Sequence, residues 1–483
     1  MKAGVKRITS AILLVALIFT LAGTAFADEE TDEREAERTA SYGITPDTNN
    51  IEGWPQGPQV YGESAIVMDM ESGAVLYAKK PDERHYPASI TKLMTALVAL
   101  ENAELDAEVY FSEDSVSFLE YGDAHIGMRP GETLSLNDAM YGMLLASANE
   151  VSYAIAESVG TLMGGGFDTF IQRMNDRAAE IGCTGSHWVN PNGLHDDNHY
   201  TTAHDMAVIA SEVYQFEEFR TVMQSLQYTI GATNLVSETR TFQQNHKMLW
   251  PENANYYEYC TGGKTGYTDQ ARTTLVTMAD DGNLQLAAVV LRDYGNDSYI
   301  DTRAMFDYAF ANFTKVPLTE ETKPEGVSSY IEENPYVVLP SDADFSEVRT
   351  EITVTDETTA AGTVTYTYRG QKVGNAGVVL TEEYIKNGMN KSTEPEISAG
   401  GSKADDKDDK GEIPMPVKVS AGIAAGLLLL VVILFARYVS AKRRRRRLMR
   451  SRRRRQAQRR AQMHSASPRH ARGAQREHRR EIQ

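Results

Sequence analysis

Cysteine is nearly missing from the 483 residues. Only Cys183 and Cys260 occur, which excludes a disulfide-stapled scaffold and a cysteine-rich zinc fold. Charge is unevenly withheld as well. The first 27 residues hold three bases and no acid, 437–483 hold 19 Lys/Arg against two acids, and 28–436 hold 27 bases against 65 acids. The formal net charge of −18 thus averages an acidic body with a basic tail, and a uniform cytosolic globule is excluded. Long uncharged apolar runs are scarce, with two in the whole chain, so a multi-span membrane protein is excluded. At 41% hydrophobic the chain is not disordered either, and its length allows two or three domains.

The two apolar runs that do occur set an address. Lys2, Lys6 and Arg7 precede an apolar run from Ile8 to about Ala22, and Ala25-Phe26-Ala27 follows, which is the pattern of a removable export signal. Val419 to Ala436 carries no charge; at ~1.5 Å per residue such a run crosses a bilayer core. Arg437 and the run from Lys442 to Arg447 follow it, so the positive-inside tendency expects an extracytoplasmic body and a cytoplasmic tail. The tail has Tyr438 as its one aromatic residue and no recognisable nucleic-acid module; topology and anionic lipid explain it, and no nucleic acid is expected.

Between these ends the chain divides by pattern. Residues 28–58 read as a flexible acidic lead. Within 59–316, Ser64–Asp69 and Gly73–Ala78 read as two strands, Thr91–Leu100 as a helix, and Leu134–Val159 as two helices broken near Ser147. Two more strands flank Asp280-Asp281-Gly282-Asn283, and Thr302–Phe313 reads as helical. Strands opening and closing a helical middle predict an α/β (α+β) domain, a sheet with a helical cluster. Short β-type runs over 317–386 predict a small all-β domain, 387–418 is a low-complexity linker, 419–436 the transmembrane helix and 437–483 the basic tail.

Ser89-Ile90-Thr91-Lys92 is the one Ser-x-x-Lys in the chain. On a helix the two side chains share a face, and a lysine desolvated by apolar neighbours becomes a base able to take a serine's proton. A helix-start serine beside a snorkelling lysine has the same four letters, so the motif alone decides little. Lys264-Thr265-Gly266, after Gly262-Gly263, offers a cation and a hydroxyl for a carboxylate where small residues admit an extended peptide. Two Ser-x-Asn triplets compete for the third element. Ser135-Leu136-Asn137 is explained by helix capping, whereas Ser147-Ala148-Asn149 interrupts two apolar helices and needs polar partners, which Ser89 and Lys92 would supply.

Taken in order, Ser-x-x-Lys, Ser-x-Asn and Lys-Thr-Gly resemble the motif set of penicillin-binding serine enzymes. The flanks Tyr86-Pro87-Ala88, Leu144-Leu145-Ala146, Asn190-Pro191-Asn192-Gly193-Leu194 and Tyr267-Thr268 are similar to those of low-molecular-mass serine-type D-Ala-D-Ala carboxypeptidases of peptidoglycan, over roughly 60–390. The resemblance implies a penicillin-binding/serine β-lactamase-like catalytic domain followed by the small β domain. It also implies removal of the terminal D-alanine from pentapeptide stems through an acyl-enzyme, acylation by β-lactams, and no cofactor or metal. Ser89 becomes the nucleophile, Lys92 its base, Ser147 a proton relay and Asn149 a peptide-orienting amide. Lys264, Thr265, Gly266 and Tyr267 line the substrate, with the N–H groups of Ser89 and Tyr267 as oxyanion donors. The chain departs from the family at Asn296-Asp297-Ser298, where an arginine is often found, leaving Arg272, Arg292 and Arg303 as alternatives. A β-lactamase is disfavoured by Ser-Ala-Asn in place of Ser-Asp-Asn. A β-lactam sensor is disfavoured by the single span following the body.

His195, His199 and His204 cluster in a polar loop, but their spacings match no zinc pattern, and no metal is expected. Pairing of Cys183 with Cys260 is open, since an exported chain permits it.

Overall fold

The computed structural model of the protein describes residues 34–388. The expected export signal (1–27), transmembrane run (419–436) and tail, with the linker from 389 onward, lie outside the described residues, and among those described no helix is long and apolar enough to cross a membrane.

The chain opens with helix α1 (34–42) and then forms the hairpin of β1 (Ser64–Asp69) and β2 (Val75–Lys79). Its turn is built by Asp69, whose Oδ1 accepts from the backbone N–H and the hydroxyl of Ser72, and by Gly73 at φ +66. Helix α2 (Lys92–Asn102) follows, then β3 (Glu108–Tyr110), α3 (Glu113–Ser117), β4 (Thr133–Ser135), α4 (Leu136–Leu144), α5 (Asn149–Leu162), α6 (Phe167–Glu180), α7 (Ala203–Tyr214) and α8 (Glu217–Gln224). After the small hairpin of β5 (Gln227–Ile230) and β6 (Arg240–Gln243) come three long strands, β7 (Cys260–Thr268), β8 (Arg272–Asp280) and β9 (Gln285–Asp293), and then helix α9 (Asp297–Asn312).

The main sheet has the order β2-β1-β9-β8-β7 and is antiparallel throughout, which leaves β7 at an edge. Both of its faces are buried, and the period-2 alternation of the strands sorts their side chains between two cores. Ile66, Met68, Val276, Met278, Ala287 and Val289 face the helical cluster of α2 and α4–α8. Ala65, Val67, Leu275, Ala288 and Val290 face α9 and the strands that follow it. The α/β architecture expected for 59–316 is the one observed.

From Phe313 the chain is β: β10 (Phe313–Pro317), β11 (Val327–Tyr330), β12 (Tyr336–Pro340), β13 (Arg349–Asp356), β14 (Ala361–Tyr368) and β15 (Gln371–Leu380), closed by α10 (Glu382–Gly388). β10 pairs with β12, and the rest form a sheet of order β11-β15-β14-β13. The side chains Val337, Leu339, Val364, Tyr366 and Val378 join the hydrophobic cluster of Trp54, Tyr77 and Phe306. The β region therefore shares the rear core of the main sheet.

The lead departs from expectation. Instead of a flexible stretch to residue 58, it folds from 34 onward. The buried Lys79 ammonium donates to the carbonyls of Ser41, Val60 and Gly62 at 2.7–2.8 Å, and Trp54 donates its Nε1–H to Leu76 O. Arg38 pairs with Asp297 and lies 3.9 Å from the Tyr61 ring centroid. These fasteners come largely from distant sequence, so the composition of the lead alone looks solvated.

Beneath the lead, Asp293 and Asp301 are buried close enough for their charges to oppose each other, and Asp293 Oδ2 has no hydrogen-bond partner, so a proton on Asp293 relieves both burial and repulsion. Burial raises Asp301 to about 6 against the opposing pull of the N–H groups of Tyr61 and Gly62, and burial holds Asp293 well above the ordinary aspartate range. The folded state thus keeps a proton that the unfolded chain releases, so this contribution to stability is present in acid and is lost as pH rises through the raised value. Asp293→Asn supplies a permanently neutral partner. Its melting temperature should exceed that of the parent by about 2–4 °C at pH 8 and match it near pH 4; an equal loss at both pH values would mean that Asp293 holds no such proton.

Candidate active site

Pro87 is held by its carbonyl, which accepts from Thr274 Oγ1 of β8 at 2.8 Å. A 3₁₀ turn (Ala88–Thr91) then leads into α2. In such a turn residues i and i+3 eclipse, so Ser89 and Lys92 stand one above the other. Lys92 is fully buried, and its Nζ lies 2.9 Å from Ser89 Oγ, 2.8 Å from Asn149 Oδ1 and 2.7 Å from the carbonyl of Asn192. Burial first, then the neighbouring Lys264 charge, pushes its pKa well below the usual lysine range. A neutral amine has two N–H bonds and one lone pair. Asn149 Oδ1 and Asn192 O can only accept, so they take the two N–H bonds and the lone pair is left facing the Ser89 hydroxyl. That is the arrangement of a serine and its base.

The break between α4 and α5 places Ser147 at φ +60, a left-handed conformation in a non-glycine residue. Here the structure divides the pair of polar groups that sequence assigned together to Ser89 and Lys92. Asn149 does reach Lys92, while Ser147 Oγ lies 2.9 Å from Lys264 Nζ. Lys264 also donates to Thr265 O at 2.8 Å and is fully buried, which alone lowers its pKa to about 7. Thr265 is half-buried and Tyr267 exposed on the edge strand β7. At Gly266 a Cβ would come within 2.9 Å of Ser89 N and 2.3 Å of Thr274 Oγ1, so only glycine lets the Ser89 N–H lie against β7. All eight residues expected at the site, Ser89, Lys92, Ser147, Asn149, Lys264, Thr265, Gly266 and Tyr267, thus fall on three elements that meet at one edge of the main sheet. Ser135, by contrast, accepts from Asp138 N at 3.1 Å and caps α4.

Three contributors escaped the sequence reading. Asn192 supplies a backbone carbonyl, which side-chain chemistry does not announce, although its segment stood among the quoted flanks. Glu150 is buried, accepts from Ile126 N at 2.7 Å and sits near enough to Lys92 to oppose its loss of charge. His246 is buried behind β7, bonded to Thr277 Oγ1 at 2.9 Å; a Cβ at Gly263 would come 2.3 Å from its Nε2. Only the paired glycines hinted at something pressed against that strand.

The arginine alternatives are engaged elsewhere. Arg292 pairs with Glu63 at 2.7 Å, Arg272 and Arg292 each lie 3.6 Å from Glu37 of α1, and Arg303 donates to the carbonyls of Asn255 and Tyr256. Cys183 and Cys260 are both free, with Sγ atoms directed to the carbonyls of Asp205 and Gly262. No cluster of metal-ligating side chains occurs among the described residues; His195 stacks edge-on against Tyr86 and His199 bonds Thr91.

The comparisons agree with this geometry. D-alanyl-D-alanine carboxypeptidase DacF of Bacillus subtilis is 27% identical over 412 residues, covering 80% of this chain and 96% of its own. D-alanyl-D-alanine carboxypeptidase DacB2 of Mycobacterium tuberculosis is 29% identical over 267 residues, covering 53% and 84%. The fold matches penicillin binding protein 5 from Haemophilus influenzae with a TM-score of 0.53 at 24% identity, over 68% of this chain and 98% of that one. The family model for D-alanyl-D-alanine carboxypeptidases matches residues 52–295, and the chain belongs to that family.

Proposed function

We propose that the protein is a serine-type D-Ala-D-Ala carboxypeptidase that removes the terminal D-alanine of peptidoglycan pentapeptide stems and is acylated by β-lactams at the same serine. The observation that carries this is Lys92, buried and satisfied by two pure acceptors so that its lone pair faces Ser89. Lys92 takes the hydroxyl proton as Ser89 Oγ adds to the carbonyl carbon of the penultimate D-alanine. The oxyanion is met by the N–H groups of Ser89 and Tyr267. Ser147, polarised by Lys264, gives its hydroxyl proton to the leaving amine and is reprotonated by Lys92, so that the C–N bond breaks, D-alanine departs and Lys92 is neutral again. Lys92 then takes a proton from water as it adds to the acyl carbonyl, and returns it to Ser89 Oγ as the shortened peptide leaves. Asn149 spends its Oδ1 on Lys92, which leaves its Nδ2 to orient the peptide. No cofactor takes part.

The same reading places the body outside the cell, exported by 1–27 and held at the membrane by 419–436, with 437–483 inside. The β-rich region 317–386 acts as a small spacer domain between groove and anchor. Protease added to intact cells should shed the body and spare the tail, and truncation before Val419 should release active enzyme; a tail digested from outside would reverse the orientation.

Two measurements test the activity. The body should release D-alanine from a pentapeptide stem, and a labelled penicillin should attach to Ser89 alone; an adduct elsewhere, or none, would sink the assignment. Lys92→Arg should abolish acylation by peptide and penicillin alike, because a guanidinium does not give up its proton. Lys264 must be charged to hold a carboxylate, and its pKa near 7 means that free enzyme loses the charge as pH rises above that value. Capture of an anionic substrate should therefore weaken on the alkaline side. Lys264→Arg should acylate measurably and lack that alkaline limb, whereas Lys264→Ala should lose about 10- to 150-fold in kcat/KM, the worth of a charge-assisted hydrogen bond of ~1.5–3 kcal/mol. Complete loss in both arginine variants would show that the roles are wrongly divided.

A further inference from the structure

His199 was singled out in the sequence as one of three clustered histidines, and neither a metal nor the chemistry above uses it. It is 1% exposed, and its ring lies edge-on to Trp188 at 5.4 Å. Its two nitrogens have distinct partners. The backbone N–H of Val189 donates to Nδ1 at 3.1 Å, so Nδ1 carries a lone pair and the proton of the neutral ring sits on Nε2. Nε2 lies 2.8 Å from Thr91 Oγ1. Thr91 is itself fully buried and gives its single hydroxyl proton to the carbonyl of Ala88 at 2.8 Å, so its oxygen is free to accept. The two assignments agree independently and define one direction along the relay: Val189 N–H to His199, His199 Nε2–H to Thr91, Thr91 O–H to Ala88 O.

The carbonyl of Ala88 is one end of a rigid planar trans peptide whose other end is the N–H of Ser89. Holding the oxygen on the Thr91 side points that N–H the opposite way. It therefore points toward β7, where Gly266 makes room for it. The plane needs holding, because Ala88 has φ +51, a left-handed conformation that is strained for a non-glycine residue. Gly193, at φ +86, closes the carbonyl in from another side; a Cβ there would lie 1.9 Å from Ala88 O.

We infer that His199 is a positioning residue for the reaction: through Thr91 its imidazole fixes the Ala88–Ser89 peptide plane, and so aims the N–H of Ser89 at the oxyanion. The inference rests on Ser89 being the nucleophile. Its signature is a loss confined to the transition state, since an oxyanion donor meets charge that the bound substrate has not yet developed. Removing the relay should lower kcat and leave KM nearly unchanged.

The experiment measures D-alanine release and penicillin acylation in the full chain, in three single variants and in one double variant. Thr91→Val keeps the side-chain shape and deletes the hydroxyl, Thr91→Ser keeps the hydroxyl, and His199→Phe keeps a flat ring without its nitrogens. Thr91→Val and His199→Phe should each reduce kcat about 10- to 100-fold, as a small misplacement of a catalytic group does, with KM within about threefold of the parent. Thr91→Ser should stay within about threefold of the parent in both. Combining Thr91→Val with His199→Phe should cost no more than the larger single loss, because both break one relay. Unchanged kcat in Thr91→Val, equal losses in Thr91→Val and Thr91→Ser, or additive losses in the double variant would overturn the inference. If His199→Phe does not fold, the two Thr91 variants decide alone. A parent chain that is not acylated at Ser89 would instead refute the nucleophile assignment, which separates the two failures.

Discussion

Everything at the site depends on keeping one lysine uncharged inside the protein. An isolated ammonium in a dry interior is costly, and the cheapest response is to give up its proton. Lys92 is walled in by the helical core on one side and meets the positive Lys264 on another, and both effects act in the same direction. The remaining groups around it are arranged so that the neutral form is satisfied: two acceptors for two N–H bonds, and a hydroxyl for the lone pair. The fold supplies these from well-separated parts of the chain, Asn149 at the start of α5 and Asn192 from a loop, so this surrounding of Lys92 exists only once the helical cluster has closed on the sheet.

That dependence explains how much was legible beforehand. The sheet and the helical cluster showed in the alternation of strands such as Ser64–Asp69 and in the apolar helices on either side of Ser147, because burial period is a local property of sequence. The site residues were readable because hydroxyl, amine and amide side chains at fixed spacings declare their chemistry, and because three ordered motifs with matching flanks are far more specific than any one. What stayed hidden was carried by the backbone or by distant partners. The Asn192 carbonyl, the left-handed turn at Ala88 and the division of Ser147 and Asn149 between two lysines have no residue signature. The helix at 34–42 looked solvated for the same reason: its hold on the body comes from Lys79, Tyr61 and Asp297.

The two lysines are best understood as a coupled pair with opposite needs. Each is buried, and the charge of Lys264 adds to burial in disfavouring charge on Lys92. The arrangement tolerates a single proton between them more readily than two, and an anionic ligand beside Lys264 shifts the balance towards charge there.

The edge position of β7 has a wider consequence. An open strand edge is a general liability, because any extended segment of another chain can dock along it and begin uncontrolled association. Here no strand lies beyond β7 among the described residues, but the turn bearing Ser89 packs tightly against Gly266, so part of that border is already occupied by the chain itself. A border shortened in this way leaves less length along which the sheet of another molecule can continue.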